Sequence, residues 1–431
     1  MNRKTGSPGV LESDLVRLLW GNGVSTLGNA VYLVAVLLLL KELTESAFMM
    51  GLFQFVALFP GFLLSPLAGA IIDSNSRRRI IIMADVLRGV VMLVAGGLLL
   101  FPALRSPYVI LAVSFCIGVG NAFFVPAAQA LIPDIVPPDQ LQRANGLRAG
   151  GNQIFNLTGN AIGGFLYAAL GAPLLFAVNG LTFMLSALQE LTIRAPRDRR
   201  RATGNVCRLT TLWQSAVEGF SAILSQEQGR TLFISQAGLF LLSPALLLAL
   251  PFIVIDELGW SAGMVGVFFA ISIAGGIAAF IAFSTRPVEK LLKMPVISLS
   301  YFSLAVVFIA LGVLRNPLTL TIAALIFGAA AGGVYLFVVT WIQRCNSAHL
   351  HGRLFALLEA GNSLVAPASY VVTGLLLELL RPEQQPYLFL LLGGTAAVWA
   401  VRMIPVRTES SGKSNASVVI RFPLWYPEDI S

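Results

Sequence analysis

Charge is what this sequence has least of. Asp, Glu, Lys and Arg make up 12% of its 431 residues, against about 25% in a soluble domain. That leaves too little polar surface for a water-facing globule of this length. Cysteine is equally thin: Cys116, Cys207 and Cys345 lack the spacing of a disulfide framework or a metal site. The two histidines, His349 and His351, stand two apart beside Arg353 and make a poor metal pair, so they read as solvated loop residues. There is no nucleotide-binding glycine loop, no Gly-x-Ser-x-Gly elbow and no His-Glu-x-x-His helix. An ATP-driven pump in this chain alone is excluded, and neither a cofactor nor a metal is expected.

What the chain has instead is hydrophobic length. Apolar residues reach 56% and mean hydropathy is +0.80. Apolar runs fall at 15–40, 47–72, 79–101, 107–131, 145–170 and 172–193, then at 232–255, 261–284, 294–314, 318–342, 353–380 and 386–406. Each meets the roughly 20 residues needed to cross a bilayer. The fold class expected is therefore an all-α membrane protein of twelve spans, six and six. The first run, from Leu15, is too long for a cleaved signal peptide.

With the N-terminus placed inside, 24 of the 29 lysines and arginines fall on the cytoplasmic side. Lys41, Arg105, Arg315 and Arg381 fall outside, and Arg88 lies within a span. This asymmetry predicts two cytoplasmic termini and a multi-pass protein of the inner (plasma) membrane. It also accounts for the net charge of +8 without a nucleic-acid partner. The expected divisions are an N-terminal bundle over 1–193, a cytoplasmic linker over 194–231 with an amphipathic stretch from Leu212 to Leu224, a C-terminal bundle over 232–406 and a cytoplasmic tail over 407–431.

The halves echo one another. ELTESAFMMGLF (Glu42 to Phe53) and ELGWSAGMVGVF (Glu257 to Phe268) agree at seven of twelve positions with an offset of 215. LRAG ending at Gly150 and LEAG ending at Gly361 repeat at an offset of 211. A doubled six-helix unit is a known transporter plan, with the binding site where the repeats meet.

Between the second and third spans the chain reads GAIIDSNSRRRIII, with Gly69, Asp73, Arg77, Arg78 and Arg79. Gly69 permits close helix packing. Asp73 ends its helix where it can complement a neighbouring helix N-terminus, and the arginines hold that carboxylate and the surface. Such a group locks one of two alternating states. The segment resembles the major facilitator signature, departing from it at Ser74 and Ser76.

PAAQALIPDIVPPDQLQRANGL (Pro126 to Leu147), GGFLYAALGAPLLFAVNGLTF after it and GRLFALLEAGNSLVAP from Gly352 resemble the branch containing the enterobactin exporter and macrolide-efflux proteins. The resemblance covers essentially the whole chain. It implies export of a small molecule by proton antiport, with protons as the coupling ion, and names no cargo. The fifth span also resembles the antiporter motif of drug exporters at Gly146, Gly159, Gly163 and Gly164, with Phe155 in place of a Gly and Asn160 in place of a Pro. Plain helix packing explains Gly159 and Gly163 equally well.

Charges inside spans are functional candidates. Asp85 and Arg88 lie three apart and so can pair, at a depth of about 9 Å. Glu359 lies at a similar depth, and Arg148 takes the equivalent place in the first repeat. Two roles are open to these four. They close a cytoplasmic gate, or Asp85 or Glu359 carries the coupling proton, with Glu359 favoured because a paired Asp85 resists protonation. Asn29 stands where related exporters often carry Asp, which implies no titrating group there.

Asn22 and Asn29 share one helix face, as do Asn152, Asn156 and Asn160. With Asn121, Gln129, Gln236, Tyr335 and Asn362 they are the candidate lining of a substrate cavity, which suits a weakly charged amphiphile. Helix–helix hydrogen bonding accounts for any single Asn at least as well. Besides its substrate, the lipid bilayer is the expected partner, and a monomer the expected state. The rivals are an importer or passive facilitator, a transporter-derived sensor and an integral-membrane enzyme. The last needs a nucleophile, base or metal cluster at one depth, and none is found.

Overall fold

A computed structural model describes residues 8–137, 140–194, 227–284, 295–345 and 365–402. They form helices α1 (Pro8–Thr44), α2 (Ala47–Ser74), α3 (Arg77–Leu98), α4 (Pro107–Ile135) and α5 (Leu141–Glu190). α6 (Glu227–Phe252), α7 (Ala262–Ser284), α8 (Val296–Val313), α9 (Pro317–Cys345), α10 (Val365–Leu379) and α11 (Gln385–Arg402) follow. No strand occurs among the described residues. In hydrocarbon every backbone polar group needs an internal partner, and the helix supplies it.

Local chemistry sets the helix ends. Ser46 accepts from the Met49 amide at 3.1 Å and starts α2. Ser106, followed by Pro107, caps α4. Glu45 takes a left-handed turn (φ 50°) and returns its amide to the Lys41 carbonyl, which closes α1.

Nine helices among the described residues are long and apolar enough to cross a membrane. α5 runs 50 residues, about 75 Å at 1.5 Å per residue and far more than one bilayer. It breaks at Gly171 (φ 71°, ψ 168°), with Pro173 following, so one continuous element holds two spans' worth of helix. The outward faces are apolar too: Met83, Tyr108 and Leu379 are each at least 70% exposed. Such a surface belongs in lipid. This is a multi-pass membrane protein.

The chain divides into two compact units. One holds 1–213, 248–270 and 370–375 and the other the remainder. In the first, α1 and α3 lie along α5, and α2 lies along α4. Ala30, the Leu27 carbonyl and Val34 pack against Gly159 and Gly163, so the small residues four apart serve close approach of α1 to α5. In the second, α8 lies along α11, Tyr301 stacks on Trp399 with centroids 5.8 Å apart, and the Tyr301 hydroxyl donates to the Ser235 carbonyl.

The repeat seen in the sequence recurs as paired contacts within the first unit. A Cβ on Gly51 would strike the Tyr370 carbonyl, and one on Gly266 the Asn160 carbonyl. Likewise Gly374 abuts the Ala47 carbonyl and Gly164 the Ala262 carbonyl. Gly51 and Gly266, like Ala47 and Ala262, are 215 apart, while Asn160 and Tyr370, like Gly164 and Gly374, are 210 apart. Thus α2 meets α10 as α7 meets α5. Lys41 and Asp256, again 215 apart, pair with each other at 2.6 Å, and Lys41 lies 5.1 Å from the centre of the Phe252 ring.

Candidate functional site

The densest polar feature inside a span is built by α3, α4 and the far half of α5. The Arg88 guanidinium lies between two rings, 4.0 Å from the centre of Phe124 and 4.5 Å from that of Phe183. It donates to Asn121 Oδ1 at 2.6 Å and to Asp85 Oδ1. Gly120 makes this possible, because a Cβ there would meet the Arg88 chain at 2.6 Å. Asp85 is 0% and Arg88 2% exposed. Glu190, also 0% exposed, is an electrostatic neighbour of both. Two cation–π contacts, each worth about 2 kcal/mol when desolvated, offset part of the cost of burying the guanidinium.

The α2–α3 end of this unit is stitched by further polar contacts. Arg77 donates to Asp134 Oδ2 at 2.9 Å and to the Ala130 carbonyl at 2.7 Å, joining α3 to α4. Arg78 donates to the Glu190 and Leu191 carbonyls that end α5. Buried Asp14 holds Arg17 at 3.0 Å and accepts from the Arg194 amide at 3.1 Å, while Arg17 donates to the Thr192 carbonyl. Arginines here satisfy the orphan carbonyls of helix C-termini.

Amides run between α1 and α5. Asn22 donates to Asn152 at 3.0 Å, Asn179 to Asn29 at 3.4 Å and Asn160 to the Asn156 carbonyl at 2.8 Å. At the α1–α2 end the Tyr167 hydroxyl donates to Glu42 at 2.7 Å, beside a cavity of about 450 Å³ lined also by Arg105 and Leu99.

The family model described as a transmembrane secretion effector matches residues 6–404. The chain belongs to this family, within the major facilitator superfamily. It is 24% identical over 407 residues to the MFS-type transporter y4rN of Sinorhizobium fredii, covering 92% of this chain and 96% of that one. It is 26% identical over 183 residues to macrolide efflux protein A of Streptococcus pyogenes, covering 42% and 44%. A bacterial homolog of the human lysosomal transporter Spinster shares the fold with a TM-score of 0.68 at 15% identity, covering 92% of this chain and 98% of that one. The nucleoside transporter NupG does so with 0.68 at 11%, covering 90% and 98%. Family and fold are those of a transporter.

The sequence-derived candidates fall into three groups. Asp85 and Arg88 pair as their spacing implies. Asn22 and Asn152 meet, and Asn29 and Asn156 are half-buried on the same two helices. Other candidates stand elsewhere in the fold. Asn121, expected in a cavity, is Arg88's partner. Arg77 holds Asp134, Arg79 is exposed, Arg148 is half-buried on α5, and a Cβ at Gly69 would meet nothing within 4 Å, so no close packing occurs there. Gln129 and Tyr335 are exposed, and Gln236 is buried in the second unit. Glu359, Asn362 and the 212–224 stretch lie outside the described residues, as does the side chain of Asp73.

Sequence reasoning missed Glu190, Asp14, Asp134 and Asp256. Glu190 stands three residues from the end of the apolar run 172–193, where a carboxylate normally reaches water. The signal available was Ser186 four residues earlier, a second polar group on the same face.

Proposed function

We propose that the protein is a proton-coupled exporter of small amphiphilic molecules, a siderophore, antibiotic or other secondary metabolite, working by alternating access. The observation that carries this reading is the charged cluster of Asp85, Arg88 and Glu190, sealed inside a major facilitator unit. Buried ionisable groups in a transport fold are expensive, and proton relays use them. The direction of transport is supported by the similarity to macrolide efflux protein A. The amide rows on α1 and α5 offer hydrogen bonds without a formal charge, which suits a large cargo with scattered polar groups.

The reading includes the twelve crossings divided as 1–193 and 232–406, joined by the 194–231 linker, with both ends and the 407–431 tail in the cytoplasm. It places a monomer in the inner membrane. Asp73 with Arg77, Arg78 and Arg79 locks one state. Glu359 remains a candidate for the coupling proton beside Asp85.

The test is accumulation of a macrolide such as erythromycin, and of candidate siderophores, in inverted vesicles made acidic inside. Accumulation is expected and should vanish when nigericin dissipates the gradient; uptake unaffected by nigericin overturns proton antiport. Uptake that equilibrates without concentrating the compound marks a passive facilitator. A second expectation concerns the amides. Asn29→Ala with Asn156→Ala should change the relative rates of different cargoes by several-fold, since each lost hydrogen bond within a membrane is worth about 0.6 kcal/mol or more. An unchanged cargo profile removes these residues from the cavity.

A further inference from the structure

Five buried side-chain atoms at one spot lack a hydrogen-bond partner: Glu190 Oε1 and Oε2, Asp85 Oδ2, Arg88 Nε and Ser186 Oγ. Buried polar atoms are nearly always satisfied, so five together call for an explanation. Glu190 carries most weight. Both of its oxygens are sealed off without a well-formed hydrogen bond among the described residues.

From α3, Arg88 and Asp85 are electrostatic neighbours of Glu190, and Arg78 bonds its main-chain carbonyl. From α4, Asn121 turns its oxygen to Arg88 and so offers Glu190 no positive charge. On Glu190's own helix the Ser186 hydroxyl lies within reach of both carboxyls and can donate to only one of them at a time. From α1, Asp14 and Arg17 engage Arg194 and Thr192 beyond it. The buried charges are two carboxyls and one guanidinium, since Arg78 is only half-buried and is engaged by the Glu190 and Leu191 main-chain carbonyls. With both carboxyls ionised, the pocket would hold an uncompensated negative charge, costing several kcal/mol. A group in that position neutralises instead.

We infer that Asp85 and Glu190 form a carboxyl pair that holds one proton between them, a proton-binding site balanced by Arg88. The O–H bond forms on one carboxyl and the other stays ionised against the guanidinium, leaving the pocket neutral. Binding takes the proton from water when the pocket opens, and release returns it. Arg88 fixes the occupancy at one. As the coupling site of the transporter, the pair rests on the proton-antiport reading above. As a site that binds a proton, it stands alone.

The test needs no cargo. Infrared difference spectra of the purified full-length protein in nanodiscs, between neutral and alkaline pH, should show a carboxylic-acid C=O band. Charge parity makes a specific demand: Glu190→Gln and Asp85→Asn should each abolish the same band, because either leaves one carboxyl to pair with Arg88. A band kept in both variants overturns the site. A band lost in Glu190→Gln alone overturns the sharing. Glu190→Asp, which keeps the charge count, should retain a shifted band, and its absence overturns the site even where Glu190→Gln folds poorly. If the infrared signature appears while vesicle accumulation ignores nigericin, proton antiport fails and the proton site remains.

Discussion

Arg88→Ala is expected to cost the protein about 3–5 kcal/mol, the range for breaking a buried ion pair from one side. Against a typical total of about 5–15 kcal/mol, that is enough to lower the melting midpoint of solubilised protein sharply and to deplete it from membranes. The reasoning is local. Removing the guanidinium leaves Asp85 and Glu190 facing one another without a cation and opens the slot between Phe124 and Phe183. Arg88→Lys keeps the charge but not the planar group that fills the slot and reaches Asn121 and Asp85 together, so it should recover only part of the loss. Wild-type melting in Arg88→Ala, read by intrinsic fluorescence in detergent, would show that the pair does not hold this unit together.

The second large effect is expected at Gly266. A leucine there drives its Cβ into the Asn160 main-chain carbonyl, which belongs to a helix and cannot swing aside. Overpacking of this kind costs about 1–3 kcal/mol, charged to whichever state holds α5 against α7. Gly51→Leu, meeting the Tyr370 carbonyl, should behave alike. Gly394→Leu is the control, since nothing lies within 4 Å of its Cβ position. The readout is a cysteine pair at K41C and D256C in a background freed of Cys116, Cys207 and Cys345. It should be bridged by a short bifunctional maleimide in otherwise wild-type protein and in Gly394→Leu, and far less in Gly266→Leu. Equal bridging in all three would mean that the glycine contacts do not hold this end together.

How much of this was legible beforehand depended on whether a contact is local. Asp85 and Arg88, three apart on one helix, could be paired from spacing alone. So could the small-residue stripe at Gly159 and Gly163, which does pack against α1. The third member of the cluster arrives from about a hundred residues away, and no periodicity ties Glu190 to Asp85. Glu190 stands near the end of the apolar run 172–193, where a carboxylate normally reaches water, whereas folding buries it. Asn121 shows a related limit: an amide in a span advertises a need for partners without saying whether they are cargo or arginine. The repeat was legible as identities at a fixed offset, but its purpose was not. Gly51 and Gly266 recur because main-chain carbonyls pass against them, and the Ala47 and Ala262 carbonyls in turn pass against Gly374 and Gly164. The twelve crossings read from hydropathy exceed the nine helices that qualify by length among the described residues.

The Lys41–Asp256 pair carries a historical implication. In an assembly of two identical six-helix chains, a position lying on the symmetry axis confronts its own copy. Lysine would then oppose lysine, or aspartate oppose aspartate, and the contact would repel. An attractive bond between equivalent positions exists only where the two copies are free to diverge, which requires two separately inherited copies. This ion pair therefore postdates any duplication of such halves, and it is an asymmetry that a symmetric ancestor had no means of making.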